Sequence, residues 1–322
     1  MTFIQAGVES LSGEYRHLAT GRTVWVRHSR PSRPVGERIV YVHGLGGASS
    51  NWTALMRELR DDAEQFALDL PGFGDSPPGT RHTVPGYVDD VIALLEQFDE
   101  PVHVVANSLG GMISVYVAAR RPDLVRTLAL VSPAMPQYRL PWAAQATAFM
   151  ALPWLGERII ERAHGVPSER QIAQLAAVLF ADPAAVPRDE LDFAVQERAR
   201  WTRQPYSGDV LLGALRSLVA QYTMPPRRSA WGAATRMLCP TMVMMGGRDT
   251  LVGSWARTRW RRARPRTRLV SMPNSGHVAM MEHPAAVAEL IRQFHRDARP
   301  PGSRRGPIGE TTCPGSEHSI RE

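Results

Sequence analysis

Apolar residues gather in short runs of strand length at residues 38–42, 66–70, 102–106, 127–131, 241–245 and 268–272. Between most of these runs the apolar positions return every three or four residues, as in 52–60, 88–98 and 109–120, and that period predicts helices. Alternation of strand and helix predicts an α/β fold with a mainly parallel sheet, and the near-continuous apolar character of the strands predicts helices on both of its faces. Upstream, residues 14–18 and 23–27 flank the turn-like Ala19-Thr20-Gly21-Arg22 and predict an antiparallel hairpin at the sheet edge.

Between residues 134 and 234 the strand pattern stops. Ala, Leu, Met, Trp and Arg recur there at helical spacing, and Pro153, Pro167, Pro183, Pro187, Pro205 and Pro225 cut the stretch into five or six short helices, because proline cannot continue a helix interior. The expected organisation is a core in two parts, 1–133 and 235–296, an inserted helical cap at 134–234, and a tail at 297–322. The tail is rich in Pro, Gly and Ser and too poor in apolar residues to offset the entropy of ordering, so disorder is expected there.

Composition narrows the functional classes. All 38 basic residues are arginine, and against 31 acidic residues they give a net charge of +7. They are spread along the chain, clustering only at 257–268 and 299–305 with no aromatic-interleaved basic strand, which points to solvated surface and no nucleic-acid partner. Two cysteines, Cys239 and Cys313, make no disulfide framework, and the N-terminus lacks a basic leader and an apolar run. No stretch approaches the roughly 18 apolar residues of a membrane span. These features suggest a cytoplasmic protein with no integral membrane segment, peripheral contact remaining open. The glycines at 44, 46 and 47 are followed by no lysine, which excludes a phosphate-binding P-loop. His82, His103, His164, His283 and His295 show no metal-ligand spacing, so no metal and no cofactor are expected.

The candidate chemistry lies at the ends of the apolar runs. Val104-Val105-Ala106-Asn107-Ser108-Leu109-Gly110-Gly111 is a strand followed at once by a serine and a helix, with small residues two before and two after the serine. Tyr41-Val42-His43-Gly44-Leu45-Gly46-Gly47 follows another strand. A third motif, Gly246-Gly247-Arg248-Asp249, ends the run at 241–245, and Ser275-Gly276-His277-Val278 follows, with His277 28 residues after Asp249.

Together these motifs resemble the α/β-hydrolase fold family over nearly the whole chain. The first is similar to its nucleophile elbow, with Ala106 where glycine is usual. The resemblance implies a central sheet with a helical cap and a triad of Ser108 as nucleophile, His277 as general base and Asp249 as the acid that orients the histidine. It implies an oxyanion hole from the backbone N–H groups of Leu45 and Leu109, and a loop role for Asp69 and Asp75. His43 is expected to pack and hydrogen-bond beneath the site. A serine at 108 argues against the family's epoxide and haloalkane branches, which place aspartate there. Hydrolysis of a carboxylic ester with a small to medium apolar acyl group is the leading expectation, with Phe149, Met150, Leu152, Trp154, Leu155, Leu179 and Phe180 of the cap offering an apolar lining. Alternatives are the carbon-carbon bond hydrolases of ring-fission products, which commonly carry tryptophan where Val278 stands, a cofactor-free perhydrolase or haloperoxidase, and a non-catalytic ligand-binding receptor. Substrate identity and oligomeric state are not legible in the sequence.

Overall fold

The computed structural model describes residues 11–186 and 188–298. Eight strands form one sheet: β1 (Gly13–His17), β2 (Thr23–Ser29), β3 (Arg38–Val42), β4 (Glu64–Leu68), β5 (Val102–Asn107), β6 (Val125–Val131), β7 (Thr241–Gly246) and β8 (Arg268–Met272). Their order across the sheet is β1-β2-β4-β3-β5-β6-β7-β8. The hairpin β1–β2 is antiparallel and joins β4 antiparallel, while β4, β3, β5, β6, β7 and β8 pair parallel. The strands expected from the apolar runs are present, with ends shifted by a residue or two where backbone pairing continues past the apolar positions.

Helices in chain order are α1 (Thr53–Glu58), α2 (Val84–Leu95), α3 (Ser108–Arg120), α4 (Trp142–Phe149), α5 (Leu155–His164), α6 (Ser168–Leu179), α7 (Arg188–Thr202), α8 (Ser207–Ala220), α9 (Ala230–Ala234), α10 (Trp255–Ala263), α11 (Ala279–Glu282) and α12 (Pro284–Asp297). One apolar cluster gathers residues of α2, α3, α9 and α10 on one face of the sheet, and a second gathers α1, α11 and α12 on the other. Strand β5 is buried along its whole length, as a strand covered on both sides must be. Among the described residues the chain between β6 and β7 forms helices joined by turns and irregular segments, with no strand. From residue 299 onward the tail expected to be disordered lies outside the described residues. Among the described residues no helix is long and apolar enough to cross a membrane.

The functional consequence of this order sits at the middle of the sheet. From β3 the chain crosses to β4 on one side, and the next strand, β5, returns to the other side of β3. The connections leaving the carboxyl ends of β3 and β5 therefore diverge, and the crevice between them is where open α/β sheets bind ligands.

Candidate active site

Ser108 stands in that crevice. Strand β5 runs into helix α3 with no intervening loop, and Ser108 takes the turn at φ 51°, in the left-handed region that costs a side-chain-bearing residue about 1–2 kcal/mol. So sharp a turn requires its neighbours to be small. A Cβ at Gly110 would run into the carbonyl oxygens of Val42 and His43, so glycine there lets the first turn of α3 rest on the end of β3. A Cβ at Gly44 would lie 3.0 Å from the Cβ of Ser108, which brings the loop after β3 against the serine. Among the described residues, the N–H groups of Leu45, in that loop, and Leu109, in the first turn of α3, donate to no acceptor. Helix geometry accounts for Leu109, since the first N–H groups of a helix have no intrahelical partner and carry its positive dipole end.

Asp249 and His277 meet on the loops after β7 and β8. His277 Nδ1 lies 3.0 and 3.1 Å from the two carboxylate oxygens of Asp249, and both side chains are almost wholly buried. Oδ1 of Asp249 also accepts the N–H groups of Leu251 at 2.8 Å and Val252 at 2.9 Å. Burial pushes this carboxyl up, but the charge and hydrogen bond of His277 and the Val252 N–H outweigh it, so the group stays below the usual aspartate range. The Ser132 hydroxyl, fully buried at φ 44° after β6, also favours the carboxylate, though without the alignment of a full hydrogen bond. Because every contact of this carboxylate is an accepted hydrogen bond, Nδ1 carries a proton in either charge state of the ring, and Nε2 is the nitrogen left to exchange one. Nε2 is buried and makes no hydrogen bond among the described residues.

Further hydrogen bonds tie the histidine loop and its neighbours together, and sequence reasoning assigned none of them. Asn107, directly before the serine, donates from Nδ2 to the carbonyl of Val131 at 3.0 Å and to that of His277 at 3.1 Å, joining β5, β6 and the histidine loop. The carboxylate of Glu282 accepts the Gly276 N–H at 2.7 Å on one oxygen and the Ala181 N–H at 2.8 Å on the other. The N–H of His277 donates to the carbonyl of Leu179 at 2.7 Å, and Thr250 Oγ1 to that of Val178 at 2.7 Å. The C-terminal end of α6 is thus sewn to both loops. A polar residue inside an apolar run, as at Asn107, was the available signal. Glu282 stands in the sequence only as part of the stretch Glu282-His283-Pro284 after the histidine, with no role attached, because its partners are main-chain groups.

His43 lies beneath the site as expected. Its Nε2 accepts the Leu70 N–H at 2.9 Å, so its Nδ1 donates to the carbonyl of Gly44 at 2.7 Å, and complete burial lowers its pKa to about 4. The buried carboxylate of Asp69 accepts the N–H groups of Ser49 and Asp75, and burial raises its pKa to about 6 despite those bonds. Asp69 therefore shapes the loop between β4 and α2, while Asp75 pairs with Arg200 of the cap at 3.2 Å. Among the described residues no cluster of three or more His, Cys, Asp or Glu could hold a metal ion.

The expected acyl lining needs correction. Phe149, Leu152, Trp154 and Leu155 are exposed, Trp154 by 84%, because they occupy the outer face of α4 and the turn into α5. Leu179 and Phe180 instead pack against the core beside the histidine loop.

Comparison with known proteins bears on the fold and the broad class of activity. A family model described as alpha/beta hydrolase fold matches residues 37–284. The chain is 27% identical over 270 residues to the pimeloyl-[acyl-carrier protein] methyl ester esterase of Neisseria meningitidis, covering 83% of this chain and 97% of that protein. It is 25% identical to an sn-1-specific diacylglycerol lipase of Mus musculus, covering 80% of each. Among solved structures, a meta-cleavage product hydrolase of Pseudomonas fluorescens superposes with a TM-score of 0.71 at 18% identity, over 89% of this chain and 98% of that one, a likeness of fold.

Proposed function

Since this chain belongs to the alpha/beta hydrolase fold family, we propose that it hydrolyses a carboxylic ester through an acyl-enzyme, with Ser108 as nucleophile, His277 as general base and Asp249 as the orienting acid. The observation that carries this reading is the buried His277–Asp249 pair, whose hydrogen bond is made through Nδ1 and leaves Nε2 without a partner among the described residues, on a loop tied by Asn107 to the strand end that carries the strained Ser108.

Each residue type answers a chemical need. A serine hydroxyl is a weak nucleophile near neutral pH, and the imidazole takes its proton as Oγ attacks the ester carbonyl carbon. The carbonyl oxygen becomes an oxyanion, for which the N–H groups of Leu45 and Leu109 are the available donors. The imidazolium is held and stabilised by Asp249. Collapse of the tetrahedral adduct breaks the ester C–O bond, and His277 returns the proton to the departing alkoxide. Water then attacks the acyl-serine, giving up a proton to His277, and the acid leaves as Ser108 is reprotonated. Named esterase and lipase relatives support ester chemistry over the other reactions that this fold hosts.

Labelling with a fluorophosphonate, followed by peptide mapping, tests the assignment directly, because only an activated serine reacts. Modification confined to Ser108, together with turnover of short acyl esters, is the expected result. An unlabelled serine in the folded protein would overturn it.

A further inference from the structure

The cap turns an unusual surface to solvent. Trp142 and Phe149, seven positions apart and therefore on one face of α4, are 70% and 60% exposed. The turn that follows adds Leu152 at 49% and Trp154 at 84%, and α5 opens with Leu155 at 40%. Tyr138, just before α4, is 83% exposed with its ring edge-on to Trp255. Scattered exposed apolar residues are ordinary, but six large ones within 18 residues of chain make a patch. Trp154 adds a second peculiarity, for it holds φ 64°, a conformation that glycine adopts freely. A turn that needed only to change direction would not spend a tryptophan there.

The polar residues around the patch carry mostly one sign. Arg158 and Arg162 are exposed at positions i+3 and i+7 from Leu155, on the same face of α5, and Arg139 is exposed beside Tyr138. None of the three enters an ion pair among the described residues, whereas Glu157 is held by Arg216 at 2.7 Å, leaving Glu161 as the exposed acid of that helix. Beyond Trp255, helix α10 adds the exposed Arg261 and Arg262, likewise without ion pairs among the described residues. Aromatic rings at the level of the headgroups and long arginine stems on the same face are how a helical surface lies in the boundary of an anionic bilayer. The patch also adjoins the candidate site. Gln137, one residue before Tyr138, accepts the Gly253 N–H at 2.8 Å and donates to the carbonyl of Leu251 at 3.4 Å, on the loop that carries Asp249.

We propose that the outer face of α4 and the start of α5, with Trp142, Phe149, Trp154 and Leu155 as anchors and Arg139, Arg158 and Arg162 as counter-charges, dock this protein on an anionic phospholipid surface. The docking goes beyond the ester-hydrolase reading and stands without it, because it is read by binding and not by turnover. A lipid-borne ester would then reach the crevice without leaving the membrane boundary.

Sedimentation with phosphatidylcholine vesicles, with and without phosphatidylglycerol, tests it on the full chain carrying Ser108→Ala, which prevents lipid cleavage from obscuring the result. Binding is expected with phosphatidylglycerol, weakening as salt screens the arginines. Trp142→Ser and Trp154→Ser should each weaken it about tenfold, and Arg158→Glu with Arg162→Glu should remove its salt dependence. In a Ser108 background the two tryptophan variants should keep parental turnover of a water-soluble short ester. Quenching of tryptophan fluorescence by brominated lipid in the chain without surface substitutions reads the same contact should a variant fail to fold. Absence of sedimentation and of quenching at low salt overturns the proposal, as does undiminished binding by the double tryptophan variant. A concentration-dependent dimer that the tryptophan variants abolish would assign the patch to a second copy of the chain and overturn it equally.

Discussion

The N–H of His277 donates to the carbonyl of Leu179, 2.7 Å away at the end of cap helix α6. The proposed base is therefore held from two sides, by the core through Asn107 and by the cap through α6 and Glu282.

Glu282 is accordingly expected to position the histidine without touching substrate. Glu282→Ala should lower kcat by roughly tenfold to a hundredfold while leaving KM little changed, since small misplacements of a reacting group have costs of that order. Glu282→Gln, which keeps one acceptor oxygen, should recover part of the loss. Steady-state kinetics on a short ester decides it, and equal rates for all three proteins would remove Glu282 from any positioning role.

Ser108 should separate activity from stability. Ser108→Ala should abolish essentially all hydrolysis, a loss on the order of 10⁴ to 10⁶ in kcat, with His277→Ala comparable and Asp249→Asn somewhat smaller. Ser108→Gly should be equally inactive yet melt no lower than the parent, because glycine takes φ 51° without steric cost. Calorimetry beside the kinetics checks both halves.

Gly110→Ala is expected to destabilise the fold by about 1–3 kcal/mol, since the new methyl meets the carbonyls of Val42 and His43, main-chain atoms of a central strand end that have little room to move. It should also depress turnover by tilting the N–H of Leu109 away from the crevice. Chemical denaturation and ester kinetics would read the two effects.

His43 should make the fold sensitive to mild acid. Its folded pKa, near 4, lies below the unfolded value of 6.5, so the neutral ring contributes stability that is complete above 6.5 and is lost as pH falls toward 4. Asp69 acts in the opposite sense, because its pKa is raised from 3.8 to about 6, and its contribution is lost as pH rises through that range. His43→Asn should remove the histidine's contribution, a change in slope approaching about 1.4 kcal/mol per pH unit between pH 6.5 and 4 relative to the parent. Urea unfolding across that window measures it.

The architecture was legible because its signals are local and repetitive. Buried parallel strands must be apolar throughout, and covering helices must show their period, so residues 38–42 and 268–272 were placed without error as strands. The motifs around Ser108, Asp249 and His277, from which the proposed triad is drawn, stand out for a related reason: a tight strand-to-helix turn and strand-end loops restrict which residues fit beside them. Glu282 does not, since its partners Gly276 N–H and Ala181 N–H are present in any sequence and only the folded chain brings them together. The cap misled at Phe149, Leu152, Trp154 and Leu155. Helical spacing identifies an apolar stripe but not which way it turns, and a stripe facing solvent has the same period as one facing a pocket.

The seam between α6 and the two strand-end loops bears on how this protein could be re-engineered. The helical stretch between β6 and β7 looks like a cassette, and exchanging residues 134–234 for the matching insert of a relative is a natural experiment on what that stretch controls. Yet Val178 and Leu179 supply acceptors to the loops of Asp249 and His277, and Ala181 a donor to Glu282. A transplant that ignored them would carry over foreign pocket walls and, with them, a displaced histidine. Crossover points chosen to retain 178–182 from the host would leave the chemistry in register while the rest of the insert is exchanged.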